Sequence, residues 1–177
     1  MDISARDRRA ADFLAWLTAE DRDGVVSIGQ LDPEPYRKSF SLRGPGSLDN
    51  AAFVACALGL WVRVPVYFDG SSVEPENIAR AHTSACRFLY FDAVDVAELE
   101  PAPNVTVALG DTTYCLWGMP EPITGHELAA LQSELRDRLG NDPSWSASTA
   151  ELIPIPGVVY AVDGEDVEAV ELEPVAS

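Results

Sequence analysis

The chain is poor in positive charge. Of its 177 residues only 12 are lysine or arginine, with Lys38 the single lysine, and 29 aspartates and glutamates bring the net charge to −17. A protein that binds nucleic acid along its phosphates usually presents a basic face. The composition therefore argues against an extended phosphate-binding surface. A GC-rich genome, adaptation to high salt and an acidic surface that imitates DNA remain open as explanations.

Sequence motifs that would indicate a metal site or a membrane span are equally scarce. No apolar run reaches about 18 residues, so we expect no membrane span. No secretory leader begins the chain, and we expect a cytoplasmic protein. His82 and His126 are isolated, whereas a zinc site needs close Cys/His pairs. We interpret the three widely spaced cysteines as buried thiols in a reducing compartment; they are Cys56, Cys86 and Cys115.

Apolar spacing alternates between helical and strand periods along the chain. Helices are predicted over 4–19, over 48–59 with Ser47 as N-cap, over 75–85 and over 124–139. Strands are predicted over 24–28, 39–42, 61–68, 87–91, 105–109 and 113–117, with two short strands within 151–162. This mixture predicts an α/β or α+β fold.

The same pattern suggests three segments. Residues 1–46 form an N-terminal helix and strands, and 47–162 form an α/β core. Residues 163–177 alternate acids with Val, Ala and Leu, which is typical of either an acidic edge strand or a frayed tail.

Two acids after a buried strand are the first candidates for chemistry. Asp92 follows the apolar run 87–91, and Asp95 comes three residues later. Carboxylates at a strand end hold Mg²⁺ well. Side chains alternate along a strand, so a spacing of three converges only where the backbone bulges or turns. The competing interpretation is a pair of solvated loop acids; Asp69 and Asp111 are further possible ligands.

A turn between two predicted strands is the second candidate. Gly110 and Asp111 could bind a phosphate through backbone N–H groups, although a plain β-turn is the simpler interpretation. Tyr114 lies on the following strand and could stack a base or pack in the core. Nothing matches a Walker loop, a nucleophile elbow or a dinucleotide fingerprint.

The order of segments resembles a known family. RFLYFDAVD is followed by a loop, by PNVTVALGDTTYCLW and PEPIT, by an amphipathic helix ending LGNDP, and by ELIPIPGVVY. This order, over about residues 50–160, resembles the RepB-like plasmid and phage branch of the archaeo-eukaryotic primase (primase–polymerase, AEP) superfamily. The resemblance implies a two-layer, RRM-like primase domain with a mixed, largely antiparallel sheet and flanking helices. It also implies that the domain makes primers with two Mg²⁺ or Mn²⁺ ions.

The catalytic motifs of that family are degenerate in this chain. The Asp-x-Asp pair falls on Asp92 and Asp95 with one residue too many between them. The Ser-Gly start falls on Leu109-Gly110, and the family histidine falls on Tyr114. The Arg-x-Pro-Gly segment falls on residues 154–157, where Pro154 replaces the arginine, and the later asparagine falls near Tyr160.

These substitutions predict a catalytically inactive, primase-like accessory or regulatory protein of DNA replication. It would act through a protein partner of the replication machinery, bind DNA weakly or not at all, and need no cofactor. A competing hypothesis is an active, divergent primase–polymerase that holds metal with Asp92 and Asp95. An acidic DNA-mimic inhibitor and an unrelated α+β interaction domain also remain open. The oligomeric state is not predicted.

Overall fold

The computed structural model of the chain describes most of its regular elements. The described residues are 4–18, 24–30, 36–63, 66–68, 71–72, 85–93, 102–124 and 152–172, together with 127, 130, 131, 133 and 134. The predicted helix over 75–85 lies outside them except for its last residue, as do Asp69, Asp95 and both histidines. The helix predicted over 124–139 is represented by the five single residues, all of them helical.

The elements follow one another in a mixed order. Helices and strands of the first half are α1 (Ala5–Leu17), β1 (Val25–Gln30), β2 (Tyr36–Ser41), α2 (Ser47–Leu58), β3 (Trp61–Arg63), β4 (Val66–Phe68) and β5 (Ser71–Ser72). Strands of the second half are β6 (Ala85–Ala93), β7 (Val105–Leu109), β8 (Thr112–Thr124), β9 (Leu152–Ile153), β10 (Val159–Val162), β11 (Glu165–Glu168) and β12 (Val170–Leu172).

The described strands form three sheets. One has the order β2-β1-β3-β9, another the order β12-β7-β8-β6-β4-β5, and β10 pairs with β11 as a hairpin. Every pairing among the described strands is antiparallel. The predicted α/β or α+β class with a largely antiparallel sheet is confirmed, although the strands divide among three sheets.

The first helix forms as its apolar spacing predicts. Ser4 is the N-cap, and its hydroxyl accepts a hydrogen bond from the Asp7 backbone N–H while the Asp7 carboxylate accepts from the Ser4 N–H, a complete capping box. The buried residues of the helix are Ala10, Phe13, Leu14 and Leu17. Trp16 lies beside them and packs on Phe88 of β6, with 5.2 Å between ring centroids, so α1 contacts the six-stranded sheet.

The second helix begins one residue earlier than predicted. Gly46, with φ +72°, is its N-cap, and Ser47 is its first residue. The Ser47 hydroxyl instead donates to the Gly44 carbonyl at 2.7 Å. Ala51, Ala52 and Ala55 of α2 are fully buried, whereas Leu58 is 55% exposed.

Two predicted strands have different limits in the structure. The strand expected over 61–68 is divided: β3 joins the four-stranded sheet and β4 the six-stranded one. The strand expected over 113–117 continues as β8 to Thr124, through Pro120 and Pro122. Its pairing with β6 jumps from Gly118 to Ile123, so both prolines lie in an irregular stretch where no ladder hydrogen bond is needed.

The C-terminal segment is regular as far as Leu172. Asp163 and Gly164, with φ +51° and +87°, form the two-residue turn between β10 and β11. β12 then pairs with β7 and becomes an edge of the six-stranded sheet. No helix among the described residues has the length and apolar character needed to cross a membrane.

Candidate functional site

The register of the six-stranded sheet brings two of the predicted site residues together. β6 and β8 are antiparallel, and Asp92 is the direct cross-strand partner of Tyr114. Directly opposite residues of an antiparallel pair project from the same face of the sheet. Asp95 lies outside the described residues, so the convergence of the Asp92 and Asp95 side chains is not tested.

The predicted phosphate-binding turn lies at the same end of this sheet. Gly110 and Asp111 join β7 to β8 as a two-residue turn, because Leu109 pairs with Thr112. Gly110 has φ +58° and Asp111 does not have a positive φ, a pattern typical of a type II′ turn. Both residues are exposed, and the requirements of a tight two-residue turn explain why glycine and aspartate occupy these positions.

An aromatic cluster joins this site to the other two sheets. The Trp61 ring of β3 meets the Tyr114 ring of β8 edge-on at 6.1 Å, and the Tyr160 ring of β10 at 4.7 Å. The ring of Tyr114, which the resemblance aligns with the family histidine, therefore packs against Trp61. Trp61 in turn packs against Tyr160, which the resemblance places near the family asparagine. We call these three residues the aromatic cluster.

The hydroxyl of Tyr160 is held between two backbone groups. It accepts a hydrogen bond from the Ile155 N–H at 2.8 Å and donates one to the Leu60 carbonyl at 3.0 Å. The side chain is only 4% exposed, and this burial raises the pKa of Tyr160 well above its usual value. The phenol is thus a neutral structural link between β3 and the segment before β10.

That segment is the one the resemblance aligns with a phosphate-binding motif. Residues 154–157 are all buried. Arg6 of α1 donates from Nε to the Gly157 carbonyl at 2.9 Å. Gly157 has φ +86°, and a Cβ there would lie 2.8 Å from the Arg6 carbonyl oxygen. The segment is therefore packed between α1 and Tyr160.

The carboxylates of the described residues do not assemble into a metal centre. Nowhere in the described ranges do three His, Cys, Asp or Glu side chains come together. The strand register places Asp92 opposite Tyr114, and the side chain of Asp92 is outside the described part of the structure.

Cys56 and Cys115 are free thiols. Burial raises the pKa of Cys115 to about 12. Burial, followed by a hydrogen bond with Asp7, raises the pKa of Cys56 to about 11. Neither thiol is activated as a nucleophile, because the thiolate is the reactive form. Cys115 is buried as expected, Cys56 is half-buried, and the side chain of Cys86 is outside the described residues.

Two arginines that sequence reasoning did not single out line a cavity of about 220 Å³ in the four-stranded sheet. Arg37 lies on β2 and Arg63 on β3, on either side of β1. Desolvation, and then the positive charge of Arg37, lower the pKa of Arg63. The sequence signal that could have found Arg63 is the alternation of side chains along β3, which places it on the same face as Trp61.

Comparison with known proteins gives one informative match. The solved structure of the AEP domain (PP-N190) of the primase–polymerase of cyanophage S-2L superposes with a TM-score of 0.62, covering 95% of this chain and 90% of that one. The two sequences are 14% identical. No protein-family profile and no curated protein sequence matches the chain. The chain therefore has the fold of a primase–polymerase AEP domain.

Proposed function

We propose that the protein is a primase-like accessory or regulatory factor of DNA replication that does not itself join nucleotides. The observation that carries this proposal is the pairing of Asp92 with Tyr114, whose ring packs in the aromatic cluster. At this place an enzyme of the resembled family would present a histidine beside its metal-binding acids. In this chain the phenol of Tyr114, packed edge-on against Trp61, replaces the ionisable imidazole of that histidine.

The physical argument concerns charge in the transition state. Nucleotidyl transfer depends on metal ions and cations placed against a triphosphate. In this chain Pro154 stands where the resembled family has an arginine. Tyr160 lies near the position of the family asparagine, and its hydroxyl is hydrogen-bonded to two backbone groups. The groups that would stabilise the developing negative charge are replaced by groups that stabilise the fold.

The charge of the chain supports action through a protein partner. A net charge of −17 repels a nucleic-acid template and favours association with basic protein surfaces. The similar fold belongs to a phage protein, which supports a plasmid, phage or viral element as the setting. We propose a catalytic primase, a helicase or an initiator of that element as the partner, in the cytoplasm.

A primer-synthesis assay tests the proposal. The purified chain is incubated with single-stranded template, ribo- and deoxynucleotides, and Mg²⁺ or Mn²⁺, beside an active primase–polymerase as positive control. We expect no template-dependent product from the wild type or from Asp92→Ala. Products made by the wild type and lost in Asp92→Ala would instead support the competing hypothesis of an active primase–polymerase that depends on Asp92.

A further inference from the structure

The second helix exposes apolar side chains near its C-terminal end. Phe53 and Leu58 are 57% and 55% exposed, the largest values among the large hydrophobic side chains of the described residues. Ala57, between them in the sequence, is also exposed, and Val54 is half-buried. We call these four residues the apolar face of α2.

The last two turns of this helix are apolar on every side. From Ala51 to Leu58 they contain only alanine, phenylalanine, valine, cysteine and leucine. A helix that is hydrophobic all round is normally buried all round. α2 lies mainly against α1, β1 and β2, which accounts for its buried alanines. The apolar face of α2 is the part that these contacts leave exposed, and adjoining exposed apolar side chains are typical of an interaction surface.

Both ends of this face are electrically negative. Asp49, Phe53 and Ala57 are spaced by four residues and form one row along the helix, and Asp49 is exposed. At the other end lies the negative pole of the helix dipole, where Gly59 is the C-cap and the last turn holds no basic residue. Residues 44–62 contain no lysine or arginine that could offset these charges.

These charges favour a basic partner over a second copy of the chain. Two copies repel each other, because each has a net charge of −17, and pairing α2 with α2 would bring negative ends together. A partner whose apolar residues are flanked by arginine or lysine matches the face in both polarity and charge. An amphipathic helix is an element that presents such a pattern to another helix.

Helix geometry gives the spacing of the partner's charges. Asp49 and Leu58 are separated by about 14 Å along the axis of α2, since an α-helix rises about 1.5 Å per residue. We propose that the apolar face of α2 binds an amphipathic helix of a protein partner, with two apolar turns between basic residues about 14 Å apart. This inference rests on the proposed function, because it names the surface through which the accessory protein contacts its partner.

Binding of designed peptides to the full chain tests the proposal. The test peptide is a helix with leucine at positions i, i+3, i+4 and i+7 and with arginine at both ends. One control peptide has the same composition with its leucines dispersed around the helix, and a second has glutamate in place of arginine. We expect saturable binding of the test peptide in fluorescence anisotropy, and binding at least about 10-fold weaker for each control.

Matched variants locate the binding on the protein. Phe53→Ser should weaken binding about 10-fold or more, the usual contribution of a phenylalanine that becomes buried. Leu131→Ser replaces an exposed apolar side chain of another helical segment and should weaken binding less than about 2-fold. Asp49→Asn should weaken binding about 2- to 5-fold, as expected for an exposed ion pair, whereas Glu134→Gln in that other segment should leave it unchanged.

Four results would overturn the proposal. The first is the absence of saturable binding of the test peptide at millimolar concentration, and the second is equal weakening by Phe53→Ser and Leu131→Ser. A dimer in sedimentation equilibrium that Phe53→Ser dissociates would assign the face to a second copy of the chain. A lower midpoint of urea unfolding for Phe53→Ser than for Leu131→Ser would show that the chain itself covers Phe53.

The peptide titration and the primer-synthesis assay can fail separately. A chain that makes primers and also binds the test peptide would overturn the proposed function alone. A chain that makes no primers and does not bind the test peptide would overturn only the assignment of the apolar face of α2.

Discussion

The indole of Trp61 packs against the phenol of Tyr160 with 4.7 Å between ring centroids. This contact joins the four-stranded sheet to the β10–β11 hairpin, and the Tyr160 hydroxyl strengthens the link through Ile155 and Leu60. Trp61 and Tyr160 thus form a junction between sheets. Its energetics are open to direct measurement.

Removal of the Tyr160 hydroxyl should destabilise the fold. Tyr160→Phe leaves the Ile155 N–H and the Leu60 carbonyl buried without this partner, which costs about 1–3 kcal/mol. Urea unfolding measures the loss. Tyr36→Phe is the control, because the Tyr36 side chain is 38% exposed and its replacement should change the free energy of unfolding by less than about 0.5 kcal/mol. Equal losses in both variants would argue against the hydroxyl link.

Two glycines with nearly the same backbone conformation allow the contact with α1 to be measured separately. Gly157 and Gly164 have φ +86° and +87°, so an alanine at either position is strained by about 1 kcal/mol. Only at Gly157 would the new Cβ also meet a backbone atom, the Arg6 carbonyl oxygen. We expect Gly157→Ala to destabilise by about 1–3 kcal/mol more than Gly164→Ala in thermal or urea unfolding. Equal losses of unfolding free energy in the two variants would show that α1 moves away from the new Cβ without loss of stability.

The capping box of α1 predicts a pH dependence. The hydrogen bond from the Ser4 side chain lowers the pKa of Asp7. Because the pKa of Asp7 is lower in the folded state, the stabilisation that its carboxylate contributes is fully present above the unfolded-state pKa of about 3.9. This stabilisation is lost as the pH falls through the folded-state pKa. The free-energy difference between wild type and Asp7→Asn should therefore be constant from pH 7 to about 5 and shrink below about 4.

Two further variants control for this interpretation. Asp12→Asn removes the same charge from the exposed side of α1, outside the capping box, and should have a smaller effect at pH 7. Ser4→Ala should cost about 1 kcal/mol, the typical value for a lost N-cap. A wild-type advantage over Asp7→Asn that persists undiminished to pH 2 would contradict the role given to the carboxylate.

Local sequence patterns, such as apolar spacing, predicted the helices and strands whose formation depends mainly on their own residues. The apolar spacing from Ala10 to Leu17 gives a helix that buries those positions. The passage of β8 through Pro120 and Pro122 was not predictable, because it depends on an irregular pairing with β6. The Asp163-Gly164 hairpin had a readable signal, since this dipeptide favours a two-residue turn, but the alternation of acids around it obscured the strands.

The site depends on contacts that a single sequence does not display. The resemblance pointed to Asp92 and Tyr114, but only the register of β6 and β8 shows them opposite each other. Arg37 and Arg63 are brought together because β1 lies between β2 and β3 in the sheet, an order that differs from the order along the chain. Strand order is set by long-range packing, and no local pattern encodes it.

Primer extension in Mn²⁺ tests the central claim most directly. A labelled DNA primer already paired with its template bypasses initiation, so the assay asks only whether the chain can hold a metal-bound triphosphate against a primer end. The account predicts no extension above background by wild type or Asp92→Ala, beside a positive-control polymerase that extends fully. Extension by the wild type that is abolished in Asp92→Ala would contradict it.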